Sequence, residues 1–392
     1  MEKENKYITY IKHLFYVGII GVLFTPLLQM KYSYFSEKEL HGAIEAVEQP
    51  KLSVDSWLSG EYQNQSNDYF NQNFGFRPYF VRLHNQFYYS TFNEPKARDV
   101  VVGKDDFLFE ENYIKAYLGR DFIGKKEIEE KIHKLDMLKD TLSKRGVELL
   151  IVFAPGKGSF YSEYIPEKYE PAIKSTTNYE VYQKSLVAND FNFIDFNSWF
   201  LAMKDTTSFP LFPKTGIHWS KYGELIAADS MIKYIADLTG REMPEIRIND
   251  VIKTDIMWDS DNDVEKGMNL FFNIKDLEMA YPQFEILHKD KTEAKVLTVA
   301  DSYFWGVYNW GLSRDVFAEG QFWFYNEAIY PDSYDQPLNV KDIDIITEVE
   351  KNDVVVLLST DANLYKFAFG FIDQLYDAYF LKTNTSTPTN VL

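Results

Sequence analysis

Two stretches of this chain hold residues whose types and settings could do covalent chemistry. In KVLTVADSYF, residues 295–304, Ser302 follows an apolar run directly, so its hydroxyl would stand at the end of a strand. A serine placed there can act as a nucleophile, with the amide N–H groups that follow it stabilising an oxyanion. It can equally cap a helix, because Asp and Ser are preferred capping residues. In KTGIHWSKYG, residues 214–223, His218 lies between a Gly-containing turn and the start of a helix over 221–238. A serine nucleophile needs a base within hydrogen-bond reach. Of the six histidines, His218 alone falls on a loop at the reactive end of a strand–loop–helix unit; His13, His41, His84, His133 and His288 fall elsewhere.

The elements that must bring these two residues together read as an α/β fold. Ile128, Ile132, Leu135, Leu138 and Leu142 recur at helical spacing, and Gly146 ends that pattern. VELLIVFA (147–154) is a continuous apolar run feeding PGKG, the signature of a buried parallel strand and its loop. FNFIDF, KVLTVADSYF, VFAEGQFWFYN and DVVVLLSTDAN supply four more strands, with helical stretches between most of them. Five such strands predict a doubly wound, three-layer α/β/α sheet. Reacting groups in such sheets sit in loops at the carboxyl ends of the strands. Those ends hold residues 155–159, Asp195, Asn197, Asp301, Ser302, Asn326 and residues 360–363. VVGKDDFLF (101–109) reads as two short strands around a turn. PGKG lacks the Gly-Lys-Ser/Thr spacing of a phosphate loop, which argues against a nucleotide site.

VLTVADSYF resembles the nucleophile block of SGNH hydrolases, and GIHWSKYGELIA resembles their final block, in which the catalytic histidine precedes a helix. The usual order puts serine first and histidine last. Here the order is inverted, which implies a circularly permuted, flavodoxin-like SGNH sheet. LLIVFA and FNFIDF would be its fourth and fifth strands, and the three later runs its first three. With YFNQNFGFRPYF, VVGKDDFLF and FPKTGIHWSKYG, this order resembles the AlgX/AlgJ-like alginate O-acetyltransferase group from about Asn67 to Phe371. The resemblance implies a serine O-acetyltransferase outside the cytoplasm that moves acetyl groups onto an exported or cell-surface polysaccharide, with a membrane-bound O-acyltransferase as acetyl source.

In that scheme Ser302 is the nucleophile and His218 the base. SGNH hydrolases usually carry an Asp three residues before the histidine, and AlgX-like proteins two before; here Thr215 and Gly216 stand there. Either another carboxylate orients His218, with Asp195 the candidate, or the site is a Ser–His dyad, or it is weak. The Ser302 N–H is one oxyanion donor, and Asn363 or its rival Asn326 the candidate for a side-chain donor. Trp219, Phe304 and Trp305 are candidate sugar-binding aromatics, each of which can also be core. The same residues would serve a polysaccharide acetylesterase, and a weak site would leave a scaffold that docks an acyltransferase.

Composition narrows the classes further. A formal charge of −18 with no basic block argues against nucleic acid and against a strongly anionic polymer as ligand. The absence of cysteine excludes disulfides and thiolate chemistry; no residue cluster suggests zinc, and no cofactor is implied. Residues 14–30 are uncharged and follow Lys3, Lys6 and Lys12, which predicts an uncleaved signal anchor with residues 1–13 in the cytoplasm and the rest outside. Residues 31–66 then form a stalk, 67–380 the SGNH hydrolase-like domain, and 381–392 a flexible tail.

Overall fold

The computed structural model describes residues 6–42, 46–169, 174–288, 291–330 and 338–381, so nearly all of the expected tail lies outside the described residues. The chain forms two compact units, one of residues 1–98 and 265–273, the other of 99–264 and 274–392. The larger unit therefore begins at Asp99, not at residue 67, and YFNQNFGFRPYF belongs to the smaller one.

The smaller unit is helical: α1 (Lys6–Tyr32), α2 (Val54–Ser59), α3 (Glu61–Asn73) and α4 (Arg77–Phe92). α1 contains the uncharged run 14–30, and its 27 residues reach about 40 Å at 1.5 Å per residue. Its stretch Tyr7–Tyr32 is long and apolar enough to cross a membrane. The end of α1 is docked rather than free. Gly75 lies so close to the Pro26 carbonyl that a Cβ there would come within 2.1 Å of it, and the Glu37 carboxylate accepts from both Gln29 Nε2 and the Phe76 N–H. The glycine of NFGFRP thus serves packing, as does Arg82 on the helix that follows, which donates to the carbonyls of Lys38 and Glu39.

The larger unit opens with the hairpin of β1 (Val100–Val102) and β2 (Leu108–Glu110). α5 (Glu111–Tyr117) and α6 (Lys125–Ser143) follow, then β3 (Glu148–Ala154), α7 (Lys157–Phe160), α8 (Asn178–Ala188), β4 (Asn192–Asp195), α9 (Phe196–Met203) and α10 (Lys221–Thr239). β5 (Glu245–Thr254) pairs antiparallel with β6 (Met279–Leu287), and α11 (Asp263–Met268) begins within the excursion between them. The chain closes with β7 (Lys295–Ala300), α12 (Phe304–Asn309), α13 (Leu312–Val316), β8 (Ala318–Phe324), β9 (Ala328–Tyr330), β10 (Leu338–Asn339), α14 (Ile345–Val349), β11 (Val354–Thr360) and α15 (Phe371–Phe380).

The main sheet runs β10-β9-β8-β7-β11-β3-β4. β8, β7, β11, β3 and β4 are mutually parallel, while β9 and β10 add an antiparallel edge. Taking β7 as the first strand of the usual order, the parallel strands stand second-first-third-fourth-fifth, the doubly wound flavodoxin-like order. The permutation inferred from the inverted motifs is thus the arrangement of the sheet. α6 buries Ile128, Ile132, Leu135, Leu138 and Leu142 in one core with Tyr182 of α8, Leu375 of α15 and the facing side of β3, β7 and β11. α9 packs on β3, and α13 packs on β8. The β5–β6 ribbon has no counterpart in the strand pattern of the sequence. Its first strand is mostly exposed, so it lacks the apolar alternation that marks a half-buried strand.

Candidate active site

β7 is buried along its length and ends at Ala300, so Asp301 and Ser302 emerge at its carboxyl end. Asp301 is fully buried and shapes the turn. Its Oδ2 accepts from the Thr360 N–H and Oγ1 and from Asn363 Nδ2, and its Oδ1 accepts from the Tyr303 N–H. With Asp301 tethered to the end of β11, Ser302 is left half-exposed and turned toward His218. Its Oγ donates to His218 Nε2 at 3.0 Å.

His218 is held from three sides. Lys157, buried at the start of α7, donates through Nζ to the carbonyls of Lys214 and Gly216 at 2.7 and 2.6 Å. Burial pushes this ammonium down to about 7. Asp276 accepts from the N–H groups of Lys214 and Thr215 and from the Thr215 hydroxyl. The Tyr303 ring lies 4.8 Å from the imidazole, and its hydroxyl donates to the Ile217 carbonyl. Ser220 caps α10 by accepting from the Gly223 N–H, which starts the helix three residues after the histidine.

The carboxylate that orients His218 is Asp263. The Nδ1–H donates to Asp263 Oδ2 at 2.6 Å, while Oδ1 accepts from the Ile217 and Val264 N–H groups. Asp195, the candidate that the sequence offers for this position, is elsewhere: it caps α9, accepting from the Ser198 N–H and from the hydroxyls of Ser198 and Tyr179. The sheet order explains why. β4 lies three strands from β7, about 14 Å at the spacing of paired strands. Burial alone would lower the His218 pKa, but Asp263, Glu110 and Asp301 outweigh it and hold the imidazole above its ordinary value. Burial likewise acts to raise Asp263, and the charge and hydrogen bond of His218 keep it below the usual carboxylate range.

Neither asparagine candidate meets Ser302. Asn363 Nδ2 is engaged by Asp301 and Thr360, and Asn326, in a left-handed turn, donates to Gln374 Oε1. The residue beside Asn326 lies next to Ser302 instead. The Tyr325 hydroxyl interacts with both the hydroxyl and the backbone N–H of Ser302, and burial followed by the Asp301 charge raises its pKa, keeping it a protonated donor. Of the three aromatics, Phe304 is core, buried against Phe322, and Trp219 is buried against Phe196, Phe200 and Tyr303 while bordering the cavity beside His218. Trp305 is half-exposed and lines a cavity of about 510 Å³ that opens onto His218 and Ser302. The ensemble can take a proton from a serine hydroxyl, hold the resulting imidazolium against a fixed carboxylate, and present hydrogen-bond donors beside the attacked carbonyl.

A strand-end serine paired to a histidine on a permuted doubly wound sheet defines an SGNH hydrolase-like protein. Residues 100–259 are similar to the family model described as SGNH hydrolase-like domain, acetyltransferase AlgX. That match includes His218 and ends before Asp263 and Ser302. A curated relative, probable alginate O-acetylase AlgJ of Pseudomonas putida, is 22% identical over 38% of this chain, and the match spans 36% of the relative's length. The solved O-acetyltransferase domain of Pseudomonas putida AlgJ overlays with a TM-score of 0.44 at 15% identity, over 71% of this chain and 99% of that one. Bacillus cereus PatB1 overlays with a TM-score of 0.41 at 13% identity, over 69% of this chain and 99% of that one.

Proposed function

We propose that the chain is an O-acetyltransferase that acts outside the cytoplasm on an exported or cell-surface polysaccharide. The observation that carries this reading is the unbroken hydrogen-bonded line from Ser302 through His218 to Asp263 at the mouth of a cavity. Ser302 Oγ attacks the acetyl carbonyl of the donor while His218 Nε2 takes its proton. The tetrahedral oxyanion rests on the Ser302 N–H and the Tyr325 hydroxyl, and the donor alkoxide leaves with the proton from His218. A sugar hydroxyl then attacks the acetyl-serine, again with His218 as base, and leaves as the acetyl ester. Asp263 keeps the Nδ1 tautomer and steadies the imidazolium throughout.

The apolar α1 after a lysine-bearing start supports a membrane anchor with the reacting unit on the outer side, where a membrane-bound O-acyltransferase would deliver acetyl groups. The presence of Asp263 disfavours the weak-site scaffold. The test is release of acetate from a chromogenic acetyl ester by the full chain in detergent, with Ser302→Ala and His218→Ala alongside. Turnover lost in both variants supports the reading, and an inert wild type or unaffected variants refute it.

A further inference from the structure

Beside Ser302 and His218, the cavity of about 510 Å³ is walled by Trp305 and Trp310 and edged by Ser260, Asn309 and Asp259. Both indoles are half-exposed, and Asn309 and Asp259 are exposed. Flat apolar faces together with short hydroxyl, amide and carboxylate groups suit a pyranose ring, whose C–H faces stack while its hydroxyls hydrogen-bond. The volume lies within the range of small-ligand sites.

The charges on the wall decide which sugar. Among the described residues lining the cavity, the cationic side chain is Lys221, with His218 committed to Asp263. Lys221 is 5% exposed and already balanced: its Nζ is 3.0 Å from Glu224 Oε2 and 3.7 Å from Asp259 Oδ2, and it sits 5.2 Å over the Trp310 ring. Glu224 packs against Gly306 of α12, where a Cβ would fall within 1.2 Å of its Oε1. A uronate carboxylate entering here would meet two carboxylates and a cation that both already claim. An uncharged hexose would meet no such opposition.

We infer that this cavity is the acceptor subsite and that it takes an uncharged, hydroxyl-bearing hexose unit rather than a uronate. The inference rests on the acetyl-transfer reading above. After acylation, a hydroxyl of the ring stacked on Trp305 and Trp310 faces the acetyl-serine with His218 Nε2 in reach. Its proton passes to His218, the Ser302 Oγ–acetyl bond breaks, and Oγ recovers the proton.

The test uses the full chain in detergent, a chromogenic acetyl ester as donor, and as acceptors gluco-, manno- and galacto-oligosaccharides beside oligouronates of equal length. Mass spectrometry reads the O-acetyl sugar. At least one neutral series is expected to be acetylated and the oligouronates not, and Trp310→Ala is expected to lower the ratio of transfer to hydrolysis at least tenfold. An oligouronate that accepts better than every neutral series overturns the charge argument, and a ratio unmoved by Trp310→Ala overturns the subsite. An ester that is never turned over speaks against the transferase reading. The subsite is then read separately by tryptophan fluorescence: saturable quenching by a neutral oligosaccharide that Trp310→Ala abolishes upholds it, and quenching by oligouronates alone, or by none of the sugars, sinks it.

Discussion

Thr215 and Gly216 stand where the resemblance to SGNH hydrolases leads one to expect the orienting aspartate, and the structure commits each of them otherwise. Thr215 is fully buried and spends its N–H and hydroxyl on Asp276. Gly216 runs against the backbone of Asp261, where a Cβ would lie 2.6 Å from a carbonyl oxygen, so no side chain fits. The same close approach brings residues 261–263 alongside the histidine loop and lets Asp263 reach Nδ1. Asp263→Asn is therefore expected to cut ester turnover by about 10⁴-fold, as loss of the orienting Asp does in serine proteases, whereas Asp195→Asn leaves it nearly intact. The base must be neutral, so the rate rises with pH through the raised His218 pKa, giving an acid limb centred above the ordinary histidine value. Removing the Asp263 charge should move that limb to lower pH. A pH profile in which Asp195→Asn, not Asp263→Asn, shifts the limb would reverse the assignment. Tyr325→Phe should lower kcat by about 10²-fold with little change in KM, the usual cost of one oxyanion donor; an unchanged kcat would remove Tyr325 from the site.

At the scale of elements, the five parallel strands, α6, α10 and the β1–β2 hairpin are legible in sequence because burial imposes a period on them. The β5–β6 ribbon is not, and neither is Asp263, which stands on an excursion with no local pattern and is defined only by a contact 45 residues away. Asn363 misleads for a related reason. A strand-end asparagine looks like an oxyanion donor until the buried Asp301 beside it claims the amide. PGKG is explained by packing: Lys157 anchors the histidine loop, and Gly156 leaves room for the Asp361 carboxylate, which a Cβ there would overlap. Asp361 lies just beyond β11, accepts from Ser159, and is raised to about 7 by burial. Its folded pKa exceeds its unfolded one, so its contribution to stability is present in full below about pH 4 and is lost as pH rises to 7. The loss is on the order of 4 kcal/mol for a shift of about three units. Asp361→Asn should raise the melting temperature at pH 8 and flatten its fall between pH 4 and 7; an equally steep fall in the variant would assign the effect to another group.

On the scale of the whole molecule, Ser302, His218, Asp263, Tyr325 and the cavity all belong to the larger unit, whereas the apolar α1 belongs to the smaller one. The apolar helix is legible as an uncharged run, but the docking of its last two turns is not, because Gln29 and Pro26 meet Phe35, Glu37 and Gly75 only in the folded unit. Anchoring and chemistry should therefore separate under truncation. The full chain is expected to sediment with membranes and resist alkaline carbonate, since a largely apolar helix of 26 residues buries far more hydrocarbon surface than a peripheral contact does. A chain lacking residues 1–32 should move to the soluble fraction and keep Ser302-dependent ester turnover. Its thermal profile should gain an early transition, because the turn at Gly75 loses the helix that covers it. Loss of turnover on truncation would mean that the smaller unit contributes to the reaction itself. Mature protein shortened by about 30 residues in the cell would mean that α1 is a cleaved signal and that the larger unit works free of the membrane.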